Sequence, residues 1–248
     1  ITDPGIAFIA PLVLGAGVPV GIYFWDDYAK FDRGVPASIA TGLALGGVEG
    51  IAIAGTQWQY SRDNNKDWSF GTQATVTWIG ATAGGVGGYF FGEWLKPDPR
   101  SLGFIASGAG WGALSGTMFG AGVSGKDWKD GASVVGLIGY NAGILATGAL
   151  STVYTPSWQS QKWMWIGYAG GTAAASVVYI FYLFSDADPK HGLIANSLGG
   201  LAGVGLAAAF TAGMKDDDGP NQRAFNPPFQ LGFAPMQGGG VVNAAGQF

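Results

Sequence analysis

Long stretches with almost no charge, broken by short charged punctuation, constrain this chain more than any other feature. Seven such runs can be read along it, at residues 5–25, 35–58, 70–95, 102–125, 132–154, 163–184 and 192–214. Each has about the length at which a helix crosses a bilayer, roughly 17 to 25 residues. The breaks hold nearly all the charge, in groups such as Asp26-Asp27, Arg62-Asp63, Lys96 with Asp98 and Arg100, Lys126-Asp127, and Asp186 with Asp188 and Lys190. Charged residues make up 11% of the chain, where a soluble domain carries roughly 25%, so too little charge remains to coat an ordinary globular surface. Runs that recur about every thirty residues predict a repeated membrane-spanning architecture.

The same composition excludes several classes. Twelve cations against sixteen anions do not supply the basic face that nucleic acid requires, so no nucleic-acid partner is expected. An apolar content of 48% is far above that of disordered segments. Without cysteine and with one histidine, neither thiolate nor histidine-cluster metal sites are expected, and no cofactor is expected either.

Helix or strand is decided by spacing, because a Gly-rich run of twenty could also be two strands of an outer-membrane barrel. Small residues recur at every fourth position. The stripes are Ser38, Gly42, Gly46, Gly50 and Ala54; Gly80, Gly84, Gly88 and Gly92; Gly108, Gly112, Gly116, Gly120 and Ser124; Gly139, Gly143, Thr147 and Ser151; Gly167, Gly171 and Ala175; Ala195, Gly199, Gly203, Ala207 and Thr211. A period of four is close to the helical 3.6, so each set forms a slowly winding smooth face. In lipid, close backbone approach through small residues is a usual means of helix association. The stripes therefore predict packing seams. They also predict an all-α polytopic bundle of about seven transmembrane helices over residues 1–214, with an extended tail over residues 215–248. The β-barrel is the alternative, supported by strand-like stretches such as residues 74–79.

Helix starts are visible too. Asp3-Pro4, Asp98-Pro99 and Asp188-Pro189 each place a capping carboxylate before a residue that needs no amide donor. Trp25, Trp58, Trp68, Trp94, Trp128, Trp158 and Trp163 lie at or just beyond run ends, where amphipathic rings favour the headgroup region. Trp78, Trp111 and Trp165 lie within runs and are expected to pack.

The twelve cations divide almost evenly between the two sides of a seven-pass arrangement, which gives no positive-inside orientation. That balance, with a modest mean hydropathy, fits a bacterial outer membrane, the inner membrane being the alternative. Ile1 in place of Met is expected either of a chain whose export signal has been removed or of one whose first stretch is missing, and both stay open. The tail carries Asp216-Asp217-Asp218 and then Pro227, Pro228 and Pro235, and ends Val241-Val242-Asn243-Ala244-Ala245-Gly246-Gln247-Phe248. The three aspartates are read as a solvated acidic cap rather than a Ca²⁺ site. With its repeated stripes and this ending, the chain resembles Gly-rich, multi-segment outer-membrane or envelope proteins of predatory and gliding bacteria. That resemblance lies in pattern rather than motif and implies no catalytic role.

Few residues carry chemistry. Glu49 sits inside a run, where an ionisable group suggests function by default; the alternative favoured here is a structural hydrogen bond between helices. Asn141 and Asn196 are interior amides expected to bond across helices. Glu93 reads as an interface residue and His191 as solvated. The leading expectation is a non-enzymatic membrane protein, a structural subunit of an envelope complex. Its partners would be the lipid bilayer and copies of itself or other membrane subunits. The competing expectation is a channel or transporter with a polar path near Glu49, Asn141 and Asn196, and a membrane enzyme ranks third. Assembly predicts stripes facing other subunits, whereas a channel predicts polar side chains converging on one cavity.

Overall fold

A computed structural model describes residues 31–32, 34–61, 67–124, 128–184, 188–216, 229–236 and 239–246. Two compact units divide the chain at Met214 and Lys215. In its described residues the first unit is all-α. Its described helices are α1 (Val35–Ser61), α2 (Phe70–Leu95), α3 (Pro99–Val123), α4 (Trp128–Ser151), α5 (Trp158–Leu183) and α6 (Gly192–Thr211). All six fall on predicted runs, and the strand-like residues 74–79 lie inside α2, so these runs are not barrel strands. A run that must satisfy its own backbone in lipid has only helix or closed barrel to choose from, and here the period of four decides for helix.

Six helices form among the described residues rather than seven, and the first predicted run, residues 5–25, lies outside them. Four of the six are long and apolar enough to cross a membrane: Val35–Ser61, Gly131–Ser151 within α4, Trp158–Tyr182 within α5, and Gly192–Thr211. Helices α2 and α3 are as long, at 26 and 25 residues, but Thr72, Thr75, Thr77 and Thr82 dilute the first, and Arg100, Ser101, Ser107 and Ser115 the second.

Local signals set the ends. Asp98 caps α3: its Oδ1 accepts from the Arg100 amide at 2.8 Å and Pro99 is the first helical residue. Asp188 acts one step earlier, accepting from the Lys190 amide at 3.1 Å to open a 3₁₀ turn, Pro189–His191, that runs into α6. Asp3-Pro4 lies outside the described residues. Ser69 and Ser157 cap α2 and α5 through the amides of Thr72 and Ser160. Helix α2 ends on Lys96, which takes a left-handed backbone conformation (φ 43°) and donates its amide to the Gly92 carbonyl.

The helices pair as three consecutive antiparallel hairpins, α1 with α2, α3 with α4 and α5 with α6. Helix α1 joins the first hairpin to the second by touching α4 and α3, and α3 joins the second to the third through α6. Helix α2 touches only α1 among the described helices. Aromatic packing is concentrated between α3 and α5, where Phe104, Trp111, Met164 and Tyr168 are buried together and the Trp165 indole donates to Ser107 Oγ at 3.0 Å. Most other large apolar side chains face outward, including Ile79, Trp94, Leu145, Phe181 and Phe210, an inversion of soluble packing that lipid allows. Trp58, Trp94, Trp158 and Trp163 are exposed near helix ends, whereas Trp111 is buried. Trp25 lies outside the described residues.

The second unit contains an antiparallel hairpin, β1 (Phe229–Met236) with β2 (Gly239–Gly246), in the register Phe229↔Gly246 to Met236↔Gly239. The stretch expected to be extended thus forms, in its described residues, two extended strands paired with each other. Asp217, Asp218, Pro227, Pro228 and Phe248 lie outside the described residues.

Candidate functional site

The predicted small residues meet one another within the chain. In the first hairpin Gly42 lies against Gly84 and Gly46 against Gly80, each glycine presenting its Cα to the carbonyl oxygen of the other. Gly50 lies against Thr77 and Gly88 against Ser38. The second hairpin repeats the arrangement in the same four-residue steps: Gly108 meets Gly143 and Thr147, Gly112 meets Gly139, Gly116 meets Val135, and Gly120 meets Gly131. In the third, Gly203 meets Gly167 and Gly199 meets Gly171 and Ala175. A Cβ at Gly46 would lie 2.8 Å from the Gly80 carbonyl carbon and 3.0 Å from the Gly84 Cα, well inside a normal carbon contact of about 3.5–4.0 Å. Only a residue without a side chain fits. Reciprocal Cα to carbonyl contacts of this kind are weak hydrogen bonds of about 0.5–1 kcal/mol each, and they recur along the seams. The stripes are therefore filled by the neighbouring helix of the same hairpin, and they are not surfaces offered to another subunit.

The predicted polar residues separate into two places. Glu49, fifteenth along α1, and Asn141, on α4, line one cleft of about 380 Å³ together with Leu45, Gly46, Ala83 and Gly84. Asn196 is elsewhere, buried at 8% exposure on α6, so the three do not form a single path. None of them makes the interhelical hydrogen bond expected of it. Asn141 Nδ2 donates to the Leu137 carbonyl of its own helix at 3.1 Å. Asn196 Oδ1 is buried without a partner among the described residues. Glu49 makes no hydrogen bond or ion pair with another described residue. The neighbouring tyrosine does what the amides were expected to do: Tyr140 Oη donates across to the Leu45 carbonyl at 2.7 Å and ties α4 to α1. Its signal in the sequence is its place beside Asn141, one step round the helix.

The third hairpin is joined to the second by hydroxyls rather than charge. Ser115 Oγ and Tyr168 Oη lie 3.1 Å apart, and Ser197 Oγ donates to the Ser115 carbonyl at 2.9 Å. At the end of the bundle where α3 begins, Ser101 and Thr155 share a hydrogen bond, as do Ser160 and Thr211, and Gln161 Nε2 donates to the Arg100 and Pro156 carbonyls. These groups are nearly all buried, and none titrates near neutral pH. Of these hydroxyls only Thr211 stands in a small-residue stripe; Ser101, Ser115, Ser160 and Ser197 follow no spacing that marks them as cross-helix partners.

Apart from Glu49, the charged groups described here lie at helix ends. Lys96 pairs with Asp32, and that hydrogen bond, with the attraction of Asp32, holds the ammonium above its usual range. Asp188 is held below the usual carboxylate range by its hydrogen bonds from the Lys190 side chain and amide. His191 is exposed and packs edge-on to Tyr182, and Glu93 lies half-buried in the last turn of α2, near Lys96. Among the described residues no group of three or more His, Cys, Asp or Glu side chains comes together as a metal site would require. No known protein family, characterised protein or solved structure matches this chain.

Proposed function

We propose that this chain is an architectural membrane protein, a non-enzymatic subunit that builds a larger envelope structure from a row of small-residue helical hairpins. The observation that carries this reading is the sparse packing of α2 among the described helices. Helix α2 has one helix neighbour among the described residues, and its outer side presents Ile79, Val86, Phe90 and Trp94, the last 82% exposed. A second copy placed against that face would disturb none of the three small-residue seams. The small-residue stripes then have a different task from the one first expected of them. They stiffen the protomer, and copies meet through outward apolar faces.

Its partners in this reading are the bilayer and copies of itself or other membrane subunits. We place it in the bacterial outer membrane, on the even split of cations and the resemblance to Gly-rich envelope proteins. The test is the mass and image of the particle extracted in mild detergent and held in nanodiscs. A ring or filament of several copies is expected. A particle of single chains at every protein-to-lipid ratio would refute the assembly role, and co-fractionation with inner-membrane markers would refute the location.

The channel reading keeps one observation, that Glu49 and Asn141 share a cleft. It loses Asn196 from the path.

A further inference from the structure

The third hairpin carries an apolar groove between α5 and α6, with a volume of about 410 Å³, inside the range of roughly 300–1,000 Å³ usual for ligand clefts. Gly167 and Gly171, set against Gly203, line it, and so do Ile166 on one helix and Leu206 and Phe210 on the other, all three exposed. Glycines let the two backbones touch and fill none of the space between those larger side chains. The groove begins at Trp163, near the start of α5, and at Thr211, the last residue of α6, and ends at Gly171 and Gly203, near the middle of each helix. Eight steps on either helix at 1.5 Å make it about 12 Å long. One leaflet's share of a hydrocarbon core of about 30 Å is roughly 15 Å. Both helices are long and apolar enough to span, so in a bilayer the groove follows one leaflet from the headgroup level, where an indole such as Trp163 is favoured, to near the midplane.

The lining decides what can enter. It brings no charged side chain. Its one hydroxyl is committed, since Thr211 Oγ1 donates to the Ala207 carbonyl at 2.6 Å and shares a hydrogen bond with Ser160. Beyond the Trp163 indole at its mouth, the groove offers a ligand only apolar contact. Spread over its length, the volume gives a mean cross-section of roughly 34 Å², less than half that of a helix about 10 Å across and enough for a hydrocarbon chain. The exposed walls make the groove continuous with the outward apolar surface that the bilayer covers.

We propose that this groove seats one acyl chain of a bilayer phospholipid, with the headgroup at the Trp163 end. The inference rests on the membrane reading and is independent of whether copies assemble.

Photolabelling in the bilayer tests it. The full chain is reconstituted in vesicles of palmitoyl-oleoyl phosphatidylcholine doped with phosphatidylcholine that carries a diazirine at mid-chain, and adducts are located by peptide mass spectrometry. The outward side of α4 at Ile138 and Leu145, 60% and 73% exposed, is the reference for lipid that merely surrounds the protein. Residues 163–171 and 203–211 are expected to label several-fold more than that reference. Gly170 lines the groove and has nothing within 4 Å of its Cβ position, so Gly170→Leu adds bulk there without meeting the neighbouring helix and is expected to bring labelling down to the reference. Gly205 is equally open and stands outside the lining, so Gly205→Leu is expected to keep the preference. Equal labelling of groove and reference overturns the proposal, as does a preference that survives Gly170→Leu or is lost equally in Gly205→Leu. Groove labelling below the reference means that protein, such as a second copy, covers it, and also overturns the proposal. A chain that does not float with the vesicles overturns the membrane reading itself, and this inference with it.

Discussion

Gly112 and Gly148 are both helical glycines in the second hairpin, and the same substitution should move stability in opposite directions at the two. Gly112 faces Gly139 across the α3 and α4 seam. A Cβ there would lie 2.8 Å from the Gly139 carbonyl carbon and 3.2 Å from the Gly143 Cα, so the helices must part by roughly 1 Å to restore normal contact. Overpacking a fitted contact costs typically about 1–3 kcal/mol, and the weak hydrogen bonds lost with it add roughly 0.5–1 kcal/mol each. Gly148 has nothing within 4 Å of its Cβ position. Alanine there should be neutral or stabilising by up to about 1 kcal/mol, the helix-propensity difference. That propensity gain is common to both sites and cancels in the comparison, which leaves a difference of about 2–4 kcal/mol between Gly112→Ala and Gly148→Ala. Reversible unfolding in mixed micelles with rising dodecyl sulfate, followed by tryptophan fluorescence, measures it. Equal midpoints for the two variants would refute the seam geometry.

Other substitutions test the ends and the junctions. Lys96→Gly relieves a left-handed backbone at the α2 terminus and gives up an exposed ion pair with Asp32 that contributes little; unfolding midpoints should be unchanged or slightly raised, and a clear loss would mean that the pair matters. Asp188 is held low by Lys190, so the stability it contributes is present at neutral pH and is lost as pH falls through its lowered value, below the ordinary Asp value of about 3.9. Lys190→Gln should move the Asp188 carboxyl resonance in NMR titration back up toward that value, and no movement would dissociate the two. Tyr168→Phe removes one partner of the Ser115 hydroxyl and should destabilise by about 1 kcal/mol in the same unfolding assay; an unchanged midpoint would mean that the bond contributes nothing.

The helices and their seams were readable because both depend on local spacing. A small residue at every fourth position, as in Gly108, Gly112, Gly116 and Gly120, marks one helix face whatever lies opposite. What lies opposite is a non-local fact. The antiparallel match of Gly112 to Gly139 follows from a short connection between consecutive helices, and reading each stripe alone left open whether its partner was the next helix or another chain. Gly131 escaped because it sits beside the charged break that ended the predicted run. The polar residues fared less well. Glu49 and Asn141 stood out by type, but their contacts depend on rotamers and on which helix faces which, so Asn141 turning back to its own Leu137 carbonyl was invisible. Tyr140, which makes the cross-helix bond, carries no spacing signal of its own.

The central claim is that the small-residue seams close hairpins inside one chain. The chain has no cysteine, so introduced pairs report without background. The Cβ position at Gly47 lies 3.7 Å from the Ala81 Cβ, and that at Gly136 lies 3.5 Å from the Thr117 Cβ, both within the range of roughly 3.5–4.5 Å that a disulfide spans. Gly47→Cys with Ala81→Cys, and Gly136→Cys with Thr117→Cys, should oxidise in native membranes to cross-links within single chains, seen as monomers of altered mobility and as linked peptides by mass spectrometry. Cross-linking only between chains, shown by dimers that disappear when the paired cysteines share one polypeptide diluted in wild-type chain, would contradict the account, as would no cross-linking at either seam.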